Sequence, residues 1–256
     1  MLLEIDGLNK SFGGLQAVDN YHLRLPPGGI FGLIGPNGAG KTTVFNLITG
    51  LLKPDDGAIH FDRLDITKHR TDQIARKGIR RTFQLLRLYK DLRVGVNLQI
   101  AYHIQLNYGL VHTLFSLPKF LRQEKETESS VQELLYMFGL MEHKNVAAGK
   151  LPYGLQRKLD IAMALASSPR LLLLDEPTCG MNPREVEDLA ELVRDIHKRR
   201  SLTMIIVEHR MPFVMGLAKQ IQVLDHGALI AEGAPEDIRT DERVIEAYLG
   251  AGDIIA

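Results

Sequence analysis

One run of eight residues constrains this chain more than any other: Gly35-Pro36-Asn37-Gly38-Ala39-Gly40-Lys41-Thr42, set between the short apolar segment Ile30 to Ile34 and a helix-period stretch from Thr42 to Leu51. The spacing predicts a buried strand, a tight glycine-rich loop and a helix. Glycines let a backbone wrap an anion, so that successive N–H groups and the helix start face it. Lys41 adds a compact positive charge, and the Thr42 hydroxyl is a ligand for a divalent cation. A glycine-rich turn ending in a chance lysine needs no such flanks. The run therefore reads as a phosphate-binding loop, with Gly35, Pro36, Asn37, Gly38, Ala39 and Gly40 as the cradle and Lys41, Thr42 and Thr43 opening the helix.

The rest of the chain alternates in the same α/β sense. Leu2 to Leu8 and Ala17 to Leu25 read as antiparallel strands about a Gly13-Gly14 turn, Leu171 to Leu174 and Thr203 to Val207 as buried strands, and Pro183 to Arg200 as the helix between them. Ile221 to Leu224 and Leu229 to Glu232 form a hairpin around His226-Gly227, and one final helix is expected from Pro235 to Leu249. Residues 89–166 read as mostly helical, which predicts a helical lobe inserted between core lobes 1–88 and 167–256.

Composition narrows the function classes. With 31 basic and 31 acidic residues among 256, the chain has no net charge to attract nucleic acid or anionic lipid. The start, Met1 to Leu8, lacks the basic and apolar regions of a signal peptide, so a cytoplasmic location is expected. The most apolar long stretch, Tyr108 to Leu121, is interrupted by His112, Pro118 and Lys119, short of the roughly 18 apolar residues a membrane helix needs. A single cysteine, Cys179, excludes an internal disulfide, and it reads as a packed residue rather than a reactive thiol.

A second chemical signal is Asp175-Glu176, at the end of four leucines. Carboxylates at the C-terminal end of a buried strand sit where ligands of open α/β sheets bind. Alone, they read rather as a strand simply ending in solvated acids. Beside a phosphate loop, Asp175 is the natural Mg²⁺ partner and Glu176 the group that polarises an attacking water.

Further motifs occur in an order that resembles the ATP-binding subunits of ABC transporters over essentially the whole chain. In a P-loop NTPase core of this type, the resemblance implies an antiparallel β subdomain and an inserted α-helical subdomain. Gln84, otherwise an ordinary surface amide, resembles the glutamine that touches Mg²⁺ and water. His209 resembles the switch histidine on the γ-phosphate, a role suited to imidazole, which can donate a hydrogen bond while neutral. Phe12 resembles the aromatic on which adenine stacks, with Val18 nearby; the alternative for Phe12 is a core aromatic. The resemblance thus implies ATP and Mg²⁺ as cofactors, with Glu176, His209 and Gln84 catalytic and Thr42, Gln84 and Asp175 around the metal.

Leu151-Pro152-Tyr153-Gly154-Leu155-Gln156-Arg157 stands at the family's signature, usually Leu-Ser-Gly-Gly-Gln, but Pro152 stands at the serine and Leu155 at the glutamine. Proline offers neither hydroxyl nor N–H, so the signature donated by this chain is expected to be weaker than its own phosphate loop. Cys179-Gly180-Met181-Asn182 stands at the D-loop, with Asn182 at a frequent aspartate. Within the family, Arg81-Thr82-Phe83-Gln84, an insertion near residues 101–130, Gly180-Met181-Asn182-Pro183, Glu208-His209-Arg210-Met211 and Ala247-Tyr248-Leu249-Gly250 resemble branched-chain amino acid importers. That branch implies transmembrane permease subunits, a second ATPase subunit in a heterodimer (a homodimer being the alternative), an external solute-binding protein acting indirectly, and a peripheral place on the cytoplasmic membrane face. Transporters of urea, amides or lipid and lipopolysaccharide, and non-transport ABC proteins, are the rival readings.

Overall fold

The computed structural model describes residues 1–103 and 117–250. Residues 104–116, which carry most of the expected apolar stretch Tyr108 to Leu121 and part of the insertion near 101–130, lie outside the described residues. The chain divides into two compact units, one of residues 1–84 with the segment from Arg170 onward, the other of residues 85–169.

The first unit holds two sheets. A four-stranded antiparallel sheet has the order β2-β1-β4-β5, built from β1 (Leu3–Phe12), β2 (Leu15–Leu25), β4 (Asp56–Phe61) and β5 (Leu64–Asp65). A six-stranded sheet has the order β10-β9-β3-β8-β7-β6, from β3 (Ile30–Ile34), β6 (Ile79–Arg81), β7 (Leu171–Asp175), β8 (Thr203–Val207), β9 (Gln220–Asp225) and β10 (Ala228–Gly233). Strands β6, β7, β8, β3 and β9 run parallel and β10 turns back antiparallel.

Every residue of β3, β7 and β8 is buried. This is why they read as unbroken apolar runs rather than alternating ones: a parallel strand covered on both faces leaves no polar side. Their adjacency matters more than their number. With β3 beside β8 and β8 beside β7, the residues that follow the three strands, Gly35, Glu208 and Glu176, leave the same edge of the sheet.

Helix α1 (Lys41–Ile48) buries Val44, Phe45, Leu47 and Ile48, the i, i+1, i+3, i+4 face that anchors the phosphate loop to the core. It stops before the expected Leu51, because Gly50 adopts a φ of 70°. Helix α6 (Pro183–Arg200) starts on a reciprocal cap, the Asn182 side chain accepting from the Glu185 N–H and the Glu185 carboxylate accepting from that of Asn182. It buries Leu189, Val193 and Ile196 at helical spacing. The last stretch is two helices, α8 (Pro235–Thr240) and α9 (Glu242–Gly250), not the one expected. Asp241 is extended, and its carboxylate accepts from the Arg243 N–H, so it ends one helix and caps the next. Strands β4, β5 and β6 and helix α2 (Thr71–Arg76) went unread in the sequence.

The second unit packs α3 (Val94–His103), α4 (Leu117–Met137) and α5 (Tyr153–Ala166) against one another. Val131, Leu134, Leu135 and Phe138 form a wholly or almost wholly buried i, i+3, i+4, i+7 stripe, each worth about 1.5–3 kcal/mol of burial. The buried Asn97 amide pairs with the N–H and carbonyl of Tyr89 and with the Arg93 carbonyl.

Candidate active site

At the end of β3 the chain turns into the phosphate loop through a geometry only glycine tolerates. Gly35 has φ 148°, and a Cβ there would lie 2.1 Å from the Leu224 carbonyl oxygen; at Gly40, φ 103°, it would lie 2.3 Å from that of Ala17. Ala39 is buried, while Asn37 and Gly38 stand exposed at the tip. The Lys41 side chain folds back under the loop, its ammonium donating to the carbonyls of Gly35 at 2.6 Å and Pro36 at 2.8 Å. A buried ammonium requires such acceptors. Thr42 is exposed and Thr43 half-buried on the first turn of α1, which carries no acidic residue and no side-chain cap. The helix start is thus left to an anion.

Two strands away, β7 ends on the acid pair. Asp175 is buried, its Oδ2 accepting from Arg81 at 2.6 Å, and its Oδ1 makes no hydrogen bond among the described residues. Glu176 has a left-handed backbone, φ 44°, at a cost of about 1–3 kcal/mol for a residue with a side chain. Its N–H is held by the Val207 carbonyl at 2.8 Å, and its Oε2 accepts from the Gln84 amide at 2.7 Å. The turn sends Glu176 out of the strand direction, so the two consecutive acids serve different partners.

Between them, β8 delivers His209. The ring is exposed, but its backbone is fixed by Glu208, which is wholly buried. One oxygen of Glu208 accepts from the backbone N–H of Thr178 at 2.8 Å and from the Thr178 hydroxyl; the other accepts from the N–H groups of His209 at 3.0 Å and Arg210 at 3.3 Å. One carboxylate therefore ties the segment after Glu176 to the segment bearing His209. Arg210 adds a hydrogen bond to the Met181 carbonyl. A cleft of about 950 Å³ opens here, lined by Asn37, Gln84, Glu176 and His209 together with Val186 of α6 and Phe213 of α7 (Met211–Met215). Phe12 and Lys41 are not in its wall.

Phe12 lies at the end of β1, the residue 47% exposed and the Lys10 ammonium 5.7 Å from its ring centroid. It is not a core aromatic. Val18, in contrast, is fully buried in the core of the antiparallel sheet, so of the two residues only Phe12 offers a face to solvent. Cys179 is half-buried beside Glu176 in the cleft wall.

In the second unit, α5 begins at the departed signature. Pro152 occupies the cap position with no side-chain acceptor, and Gln156 donates back to the Leu151 carbonyl at 2.8 Å. One turn on, Arg157 is fully buried with its guanidinium 4.0 Å from Asp160. Burial pushes the Asp160 carboxyl up to about 6, against the pull of Arg157 and of the Arg87 N–H.

The family model for ABC transporters matches residues 18–179. This chain belongs to the ABC transporter ATPases. Its C-terminal residues 228–254 also match the model of the branched-chain amino acid ATP-binding cassette transporter. The ABC ATPase is 44% identical over 249 residues to the high-affinity branched-chain amino acid transport ATP-binding protein LivG of Escherichia coli K12, covering 97% of this chain and 98% of the other. It is 43% identical to BraF of Pseudomonas aeruginosa, with the same coverage. Among solved structures, the ADP conformation of MJ1267, an ATP-binding cassette of an ABC transporter, superposes with a TM-score of 0.83 at 30% identity, over 97% of this chain and 98% of that one. As an ABC ATPase the chain is a nucleotide-binding protein. No helix among its described residues is long and apolar enough to cross a membrane.

The oxygen donors suit Mg²⁺. Asp175 keeps one carboxylate oxygen clear of donors among the described residues, and Thr42 and Gln84 could add a hydroxyl and an amide carbonyl, all hard ligands. No group of three or more His, Cys, Asp or Glu is placed to hold a metal among the described residues. Two residues of this site, Arg81 and Glu208, escaped the reading of sequence except as letters in family strings. The sequence offered a signal only for Glu208, next to His209; Arg81 is placed by the pairing of its short strand with β7, which the sequence does not announce.

Proposed function

We propose that this chain binds ATP with Mg²⁺ and hydrolyses it to drive uptake of branched-chain amino acids through a membrane transporter. The observation that carries the reading is convergence: β3, β7 and β8 release the phosphate loop, the acid pair and His209 side by side, and Gln84 reaches Glu176 at 2.7 Å. Adenine stacks on Phe12. The loop N–H groups of residues 35–42 and the α1 start bind the phosphates, and Lys41 exchanges its carbonyl partners for β- and γ-phosphate oxygens. Asp175, Thr42 and Gln84 would hold Mg²⁺, which when bound would supply positive charge beside the phosphate oxygens. Glu176 polarises the water for in-line attack, and His209 donates to the γ-phosphate.

The branched-chain substrate class rests on the relatives, LivG and BraF, whose names carry it. In this reading the chain sits on the cytoplasmic membrane face against permease subunits, which receive solute from an external binding protein. It pairs with a second, different ATPase subunit, because Pro152 leaves its own signature without a serine hydroxyl. ATP closes the pair and hydrolysis releases it, moving the permease between outward and inward states.

The test is reconstitution of the chain with its co-purifying permease and ATPase subunits in vesicles, with binding protein supplied outside. ATP-dependent uptake of leucine, isoleucine or valine that stops with Glu176→Gln supports the proposal. Uptake of another solute class in place of these overturns the substrate; ATP turnover without any transport overturns the role.

A further inference from the structure

Arg81 is the least expected residue of the site. Its side chain is 4% exposed, although it follows Arg80 on a three-residue strand. Burying a guanidinium is costly unless its donors and faces are engaged. Here one terminal nitrogen donates to Asp175 Oδ2 at 2.6 Å and the other to Asn46 Oδ1 of α1 at 2.7 Å. The planar group also lies between two rings, 5.4 Å from the centroid of Phe45 on α1 and 4.9 Å from that of Phe83. Nε makes no hydrogen bond among the described residues, so the fork is committed to these two contacts. One side chain thereby joins the phosphate-loop helix, the acid at the end of β7 and the segment that leads from Phe83 to Gln84.

We infer that Arg81 is a positioning residue for the cation-binding carboxylate: it fixes Asp175 through Oδ2 so that Oδ1 is the oxygen presented to Mg²⁺. The inference rests on the reading of Asp175 as a Mg²⁺ partner. Two effects oppose each other at such a place. A nearby positive charge repels the cation, while a hydrogen bond behind a metal-holding carboxylate orients it for an ion that demands near-ideal octahedral geometry. Partners of the second kind are worth about 10- to 100-fold in metal affinity. Orientation therefore wins here, and loss of Arg81 weakens the hold on Mg²⁺. A lysine keeps the charge but lacks the planar fork that serves Asp175 and Asn46 together and stacks between two rings.

The experiment titrates Mg²⁺ into the full chain holding a fluorescent ATP analogue, for wild type, Arg81→Met, Arg81→Lys and Asp175→Asn, and repeats nucleotide binding in EDTA. Arg81→Met is expected to raise the half-saturating Mg²⁺ concentration by about tenfold or more, with affinity in EDTA within about twofold of wild type, the scatter normal for such titrations. Arg81→Lys should fall between, and it keeps the test decisive if the methionine variant does not fold. Unchanged or tighter Mg²⁺ binding in either Arg81 variant, or an equal loss in EDTA, overturns the inference. Asp175→Asn separates the two readings: if it leaves the Mg²⁺ dependence intact, the assignment of Asp175 fails and the role of Arg81 with it.

Discussion

The ends of β7 and β8 and the start of α5 are built to different standards. At the strand ends each named group has a partner: Asp175 has Arg81, Glu176 has Gln84, and Glu208 binds both Thr178 and His209. At the start of α5, Pro152 caps nothing and brings no donor. The contrast is one of what each region owes to its own chain. In the proposed function, groups that cut a bound nucleotide must be held to fractions of an ångström by their neighbours, whereas the signature would act on a nucleotide held elsewhere and can be reduced without harming the chain's own site.

The sharpest way to break the comparison is at Glu176. Glu176→Gln keeps the hydrogen-bonding shape but removes the proposed base, and phosphate release should fall by about 10²- to 10⁴-fold while ATP binding persists. Retention of a tenth of the activity would remove Glu176 from that role and leave the strand ends no better equipped than α5.

Next in size is the buried clamp. Glu208→Ala deletes the acceptor for three backbone N–H groups and one hydroxyl in a fully buried place. Leaving such donors unsatisfied costs about 3–5 kcal/mol, measurable as a lowered midpoint in urea unfolding with unchanged slope. A loss below about 1 kcal/mol would mean that the two loops hold their places without Glu208.

Asp160, about two turns along α5, gives a pH readout confined to the second unit. Burial holds its carboxyl at about 6 in the folded chain, above the ordinary value near 3.9 of the unfolded one. The unfolded state therefore loses its proton first, and the stability contribution present below pH 4 is lost as pH rises through 6, at most about 3 kcal/mol. Asp160→Asn should flatten that part of the profile between pH 4 and 7. A variant whose stability declines in parallel with wild type would assign the pH dependence to other groups.

What was legible in the sequence follows the same division by physics. Strands β3, β7 and β8 announced themselves because burial on both faces forces an apolar run, and the phosphate loop because only glycine fits beside the carbonyls of Leu224 and Ala17. Strand β6 was not legible, since Ile79-Arg80-Arg81 reads as a charged surface; the ring faces of Phe45 and Phe83 that accept Arg81 come together only in three dimensions. The break at Asp241 was missed for a milder reason. An aspartate ends a helix only when its own backbone turns extended and its carboxylate finds the next N–H, here that of Arg243. The roles given to Gln84 and His209 came from resemblance, because a lone amide or imidazole carries no pattern of its own.

The smallest expected effect is the one aimed directly at the poorer region. Pro152→Ser restores a hydroxyl and an N–H at the cap of α5. A serine cap is worth about 0.5–2 kcal/mol, but the lost proline gives back about 0.4–1 kcal/mol of unfolded-chain freedom, and φ −51° at this position suits proline well. Stability should therefore move by no more than about 1 kcal/mol. Turnover is the more telling readout, because a single preorganised donor at a developing negative charge is worth far more than its share of folding energy. In the assembled transporter, turnover should rise roughly severalfold, limited by the companion residues Tyr153 and Leu155, which still depart from the usual signature. No rise in turnover, together with a serine-capped helix of unchanged stability, would mean that Pro152 does not limit the signature. Rapid hydrolysis at both sites of a dimer of this chain alone, with Pro152 in place, would remove the case for an asymmetric pair.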